Sequence, residues 1–272
     1  MDNNIILKYY LKIFIIIIIM YFDIVIPLGP NERSKIYKQI EYTKKNVIGY
    51  RNIYIITNNF DNLQIDGCKV IDENIFPFKM NDIASYFIHY NGKCNRNGWY
   101  LQQLLKLYSG FVIEDILDNY LIIDADVFFL KPTEFYMNSK YIFTTSDENH
   151  EPYFKHMKKM HPTFTKQINS SGISHHMLFN KQIIKEIFEL VENLHKKSFW
   201  VVFIETVDEH IKYPIDTAES GASEYELYFN YVLQNHKESI LIRNLNWSNK
   251  PHNYDINNQC DLDYVSICSW IK

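Results

Sequence analysis

Two aspartates one residue apart, Asp124 and Asp126, stand in the most apolar stretch of the chain's middle, YLIIDADVFFLKP. Burying two carboxylates is costly unless a cation or hydrogen bonds compensate them. In a strand, residues i and i+2 face the same side, so both carboxylates would point one way and could share a divalent ion, with the small Ala125 between them. The alternative is that they cap the end of a strand or pair with arginine and lysine.

Three later segments carry further polar chemistry. SGISHHMLFNK sets His175 and His176 at the start of an apolar strand, where neighbours face opposite sides, so one of the two can face a site and the other the core. SGASEYELYFNY opens a helix: Ser223 followed three residues later by Glu226 is a capping box, which accounts for Glu226 without catalysis, and the helix dipole favours Glu224 in the first turn. NKPHNYD places His252 in a polar loop beside a proline.

The elements that must position these residues read as α/β. YFDIVIPLGP is a buried strand ended by Pro27, Gly29 and Pro30. Ile36, Ile40 and Val47 then recur at helical spacing, with Gly49 where a C-terminal cap belongs, and NIYIIT (52–57) is a second buried strand ended by a turn at Asn58 and Asn59. A strand, helix, strand opening points to a parallel sheet, whose ligands sit at the strands' carboxyl ends. WYLQQLLKLY (99–108) is a helix with Leu101, Leu104, Leu105 and Tyr108 on one stripe and Gln102, Gln103 and Lys106 off it. Two more helices run from about Gln182 to Lys197, with Ile183, Ile184, Ile187, Val191 and Leu194 on one face, and over residues 222–235. Neither repeat nor linker interrupts residues 21–272, which read as a single domain.

With 272 residues, 47% of them hydrophobic, the chain can bury a sizeable core without disulfides. Four scattered cysteines match no zinc spacing and read as reduced thiols. A net charge of -4 offers no basic field for a nucleic-acid backbone, so the composition favours small-molecule chemistry. Residues 1–20 form an apolar leader. Ile13 to Phe22, preceded by Lys8 and Lys12, is too short to span a bilayer and reads as a packed or interfacial segment, or as an uncleaved anchor, with weak membrane association through residues 5–22. The location this implies is cytoplasmic or membrane-associated.

IIDADVFFLKP resembles the DxD motif of GT-A glycosyltransferases, and GWYLQQLLKLY before it, with SGISHHMLFNK and SGASEYELYFNY after it, resembles one branch of that superfamily over residues 21–255. The resemblance implies a GT-A-like domain whose nucleotide-binding half precedes its acceptor half. Asp124 and Asp126 would hold Mn²⁺ or Mg²⁺ against the diphosphate of a nucleotide-sugar donor, with His252 completing the metal site. Pro27, Gly29 and Asn58 would contact base and ribose, and Gln102 and Lys106 would reach the donor from their helix. Asp126, through the cation, and Glu224, as general base of an inverting transfer, would be catalytic, with Asp208 and Asp216 in reserve. His175, His176 and Glu226 would face the acceptor, a hydroxyl on a glycan, lipid or protein.

Two rivals compete. DADV also fits the nucleophile motif of a haloacid dehalogenase-like phosphohydrolase, although that strand normally opens its fold and here about a hundred residues precede it. A catalytically inactive GT-A-like binding protein is the other.

Overall fold

The computed structural model describes residues 22–58, 60–87, 96–208, 220–257 and 261–268. The apolar leader and Asp216 lie outside the described residues. Among those described, no helix is long and apolar enough to cross a membrane.

In chain order the strands are β1 (Phe22–Pro27), β2 (Val47–Ile48), β3 (Tyr50–Thr57), β4 (Lys69–Asp72), β5 (Asn119–Ile123), β6 (Val127–Phe129), β7 (Thr133–Glu134), β8 (Tyr136–Met137), β9 (Lys140–Thr144), β10 (His176–Asn180), β11 (Ile240–Arg243), β12 (Trp247–Pro251) and β13 (Tyr264–Cys268). The helices are α1 (Ile36–Asn46), α2 (Met80–Tyr86), α3 (Asn97–Val112), α4 (Glu151–Met160), α5 (Lys181–His195), α6 (Phe199–Glu205) and α7 (Glu224–Asn235).

The chain forms a mixed α/β single domain around a five-stranded sheet of order β10-β5-β1-β3-β4. Strands β5, β1, β3 and β4 run parallel, and β10 closes one edge antiparallel to β5. Every residue of β1 and β5 is buried, as central parallel strands covered on both faces require. From β1 the chain builds outward through β3 to β4, then returns to place β5 on the other side of β1. The carboxyl ends of β1 and β5 therefore flank the point where the sheet order reverses, where open α/β sheets leave a crevice for ligands.

At the opposite end, Asp23 ties the strands together. Its fully buried carboxylate accepts from Arg51 Nε and Nη2 at 3.1 and 2.6 Å, Asn52 N at 3.0 Å and Leu117 N at 2.8 Å. Four donors make this buried charge a structural pin.

The aspartate pair departs from the sequence expectation. YLIIDADVFFLKP is two strands in two sheets: β5 belongs to the central sheet, while β6 pairs with β13 in a three-stranded sheet with β12. Asp124, Ala125 and Asp126 form the turn between them, closed by Val127 N donating to Asp124 O at 3.0 Å. The pair thus stands side by side because a turn exposes it where the chain changes sheets, not because strand alternation aligns it.

Two helices also differ. Val47 leaves α1 for the short strand β2, and Gly49, at φ 90°, makes the bend between β2 and β3 instead of capping the helix. In α3, Gln103 and Lys106 are buried along with the apolar stripe, because the helix lies between the sheet and α7. Gly110 permits the close approach to β5: a Cβ there would lie 2.7 Å from the Tyr120 ring. In α5, Asn180 caps the N-terminus by accepting from Gln182 N and Ile183 N, and Leu194 turns outward, 48% exposed. Helix α7 is buried at ten of its twelve positions, so it is a core helix with polar groups that must find internal partners.

Candidate metal centre

The register of β10 on β5 builds the site. His176 pairs opposite Ile123, so the next residue outward, His175, falls opposite Asp124, and Asp124 N donates to His175 O at 2.9 Å. His175 sits at φ 62°, a left-handed conformation uncommon for a residue with a side chain, and its Nδ1 lies 3.4 Å from Asp124 Oδ2. One ligand atom from each of Asp124, Asp126 and His175 lies within 4.8 Å of the others. The Asp124 and His175 side chains keep 15% and 20% of their surface exposed, so the cluster opens on solvent.

The two aspartates have unequal surroundings. Oδ1 of Asp124 is taken by Lys106 Nζ at 2.5 Å and by the Tyr225 hydroxyl at 3.0 Å. Burial raises the Asp124 pKa, but Lys106 and His175 outweigh it and hold the carboxyl well below the usual range. At Asp126, burial and then the Asp124 charge push the pKa up, and the His175 charge, then the neighbouring Ser266 hydroxyl, oppose only in part. Asp126 Oδ1 is buried with no hydrogen-bond partner among the described residues. The groups fit a divalent cation: one oxygen from each of Asp124 and Asp126 and a neutral His175 nitrogen would form a three-ligand set with open positions, and the imidazole suits Mn²⁺ better than Mg²⁺.

Behind the pair runs a buried chain of charge. Lys106 Nζ also donates to Glu224 Oε1 at 2.6 Å and the Tyr225 hydroxyl at 3.3 Å, and stands 4.4 Å from that ring's centre. Burial opposes the ammonium charge, while Asp124 and Glu224 overcome it and keep Lys106 above its ordinary range. Burial likewise raises the Glu224 pKa, with Lys106 opposing, and Gln103 Oε1 accepts from the Glu224 amide at 3.1 Å.

The loop after β1 faces the other side of the pair. Lys35 Nζ donates to Ile267 O at 3.3 Å, and its charge acts on Asp126, as does that of Glu32, whose pKa burial and Asp126 raise. Arg33 Nη2 donates to Asn58 Oδ1 at 2.5 Å, joining this loop to the end of β3. Trp247 stacks on Tyr264 at 5.2 Å and meets His175 edge-on at 5.3 Å, forming an aromatic wall beside the cluster.

Of the residues expected from sequence, Pro27 ends β1 buried, Gly29 follows half-buried, Asn58 is exposed after β3, and Gln102 is half-buried on α3. Five of the expected residues have surroundings other than those their expected roles call for. The histidine beside the aspartates is His175, since β pairing carries it there, whereas His252 lies in the exposed turn after β12. Lys106 is not a free phosphate contact, because all three of its ammonium hydrogens have internal acceptors. Glu224 is enclosed and ion-paired to Lys106, so its carboxylate faces the interior and not the open side of the cluster. His176 is a core residue: its ring lies among Phe129, Phe135 and Tyr264, its Nε2 meets Thr144 Oγ1 at 3.2 Å, and burial holds its pKa well below the ordinary value. The Glu226 amide donates to Ser223 Oγ at 3.2 Å, so Ser223 caps the helix, but the Glu226 carboxylate accepts from Ser171 Oγ at 2.5 Å and Asn230 Nδ2 at 2.8 Å instead of returning to the Ser223 amide as a capping box would. Asp208 pairs with Lys159 away from the cluster. Sequence reasoning missed Tyr225, Gln103 and Trp247. Tyr225 adjoins Glu224 in a segment already singled out, but only the packing of α7 on α3 aims it at Asp124.

A family model described as "Family of unknown function (DUF6492)" matches residues 41–258, and the chain belongs to that family. The matched range holds Asp124, Asp126, His175, Lys106 and Glu224. No protein of curated function matches the chain.

Proposed function

We propose that this protein is a metal-dependent glycosyltransferase with a GT-A-like fold, moving a sugar from a nucleotide-sugar donor to a hydroxyl of a glycan, lipid or protein. The observation that carries the reading is the Asp124, Asp126 and His175 cluster, with its unpartnered carboxylate oxygen, at the carboxyl end of β5 where the sheet order reverses. The DxD resemblance supports it, and so does the parallel sheet with one antiparallel edge strand.

In this reading Asp124, Asp126 and His175 would hold Mn²⁺. A cation so held would stabilise the negative charge that grows on the nucleoside diphosphate as the bond from sugar to oxygen breaks. The chain's own residues do the rest. Lys106 and Tyr225 hold Asp124 ionised and oriented. Lys35, on the Asp126 side and bonded to Ile267 O at 3.3 Å, would turn toward a diphosphate, and the loop from Leu28 to Arg33 with Asn58 would bound the nucleoside. Trp247 offers a flat apolar face beside the cluster for a sugar ring.

The test is a panel of nucleotide sugars assayed for Mn²⁺-dependent donor hydrolysis and transfer, with Asp126→Asn as control. Turnover lost in the variant supports the reading. Phosphate-ester hydrolysis without turnover of any nucleotide sugar would replace it with the phosphohydrolase.

A further inference from the structure

Lys106 is buried, charged and held directly against a residue of the candidate metal centre, a combination that a purely structural lysine does not need. We infer that Lys106 is a positioning residue that keeps the centre's affinity for a free divalent cation low, so that the cation is taken up together with an anionic diphosphate. The inference rests on the metal-dependent reading above.

The argument is geometric. With Lys106 Nζ at 2.5 Å and the Tyr225 hydroxyl at 3.0 Å on Oδ1, Asp124 has only Oδ2 to give, and that oxygen faces His175. A cation on Oδ2 and an ammonium on Oδ1 are like charges held across one carboxylate. Lys106 cannot retreat. Its side chain is 3% exposed, and its three hydrogens go to Asp124, Glu224 and Tyr225. Glu224 stands behind Lys106 and touches Asp124 only through it, so its negative charge offsets the ammonium incompletely at the cation's position. A diphosphate brings at least two negative charges to the open side of the cluster and restores the balance.

Lys106→Met combined with Glu224→Gln separates this from a general field effect, because the two changes together leave the cluster's net charge as it was. Binding of Mn²⁺ alone, followed by the paramagnetic resonance of the free ion, should tighten at least tenfold in that double variant. It should weaken in Glu224→Gln, where Lys106 leans wholly on Asp124, and stay near wild type in Lys106→Arg. Inorganic pyrophosphate should raise protein-bound Mn²⁺ more in wild type than in the double variant. A double variant that binds Mn²⁺ no tighter than wild type, or equal gains from pyrophosphate, overturns the inference while leaving the metal centre intact. Should the double variant not fold, Glu224→Gln decides, and unchanged Mn²⁺ affinity there overturns the inference. If Asp126→Asn titrates Mn²⁺ as wild type does, the metal centre itself is wrong and the inference falls with it.

Discussion

Replacing Asp126 by asparagine should stabilise the metal-free protein while removing its response to Mn²⁺. Asp126 is held above the usual carboxylate range by burial and by Asp124, and its Oδ1 has no partner. Leaving a buried polar atom unpaired costs ~1–3 kcal/mol, and more when it is charged. Asparagine keeps the shape and removes the repulsion from Asp124, so a gain of about 1–2 kcal/mol is expected at neutral pH. At about 2–4 °C per kcal/mol for a domain of this size, Tm in chelator should rise by roughly 2–8 °C. The pH dependence follows from the raised pKa. A carboxyl titrating higher in the folded state contributes stability that is present below its unfolded value and lost as pH rises through the folded one. The advantage of Asp126→Asn should therefore be largest at neutral and alkaline pH and vanish below about pH 4. Differential scanning calorimetry from acid to neutral pH, with chelator and then Mn²⁺, reads both effects. Wild type should gain about 2.7 kcal/mol at a hundredfold excess of Mn²⁺ over its Kd, and the variant little. A variant whose Tm falls by several degrees in chelator at pH 7 would refute the reasoning, because the carboxylate would then be a satisfied structural partner.

Mn²⁺ affinity should fall as pH drops. Although burial disfavours its charge, Asp124 and Asp126 raise the His175 pKa overall, and the imidazole must shed its proton to bind metal. A titration below that pKa should lose up to about tenfold per pH unit, and a flat profile would remove His175 from the ligand set. Arg51→Ala should cost ~2–4 kcal/mol by leaving Asp23 short of its charged partner, yet leave Mn²⁺ binding per folded molecule unchanged, because Asp23 lies at the far end of the sheet. Gly172→Ala should destabilise by about 1–3 kcal/mol, since its Cβ would fall 2.5 Å from Phe229 Cβ, and should weaken Mn²⁺ binding by shifting the segment that carries His175; denaturant melts and Mn²⁺ titration check both. Beryllium fluoride should form no adduct at Asp124, and mass spectrometry showing one would favour the phosphohydrolase.

Much of the architecture was legible without coordinates. The apolar runs of β1, β3 and β5, the i, i+3, i+4 stripe of α3 and the Ser223 cap of α7 are local patterns, and local patterns survive folding because burial and capping act within a few residues. The aspartate pair announced itself for the same reason: two carboxylates in an apolar run need compensation wherever the run folds. What compensates them is not local. The sequence places His175 fifty-one residues from Asp124, and only antiparallel pairing of β10 with β5, one residue beyond the His176 and Ile123 partners, brings it there instead of His252. Lys106 lies off the apolar stripe of α3, where periodicity alone makes it solvent-facing, but α7 covers that face and delivers Glu224 and Tyr225 to meet it. The sequence by itself therefore determined where the charge is and that it must be answered. Register and helix packing, which depend on contacts between residues far apart in the chain, decided which groups answer it.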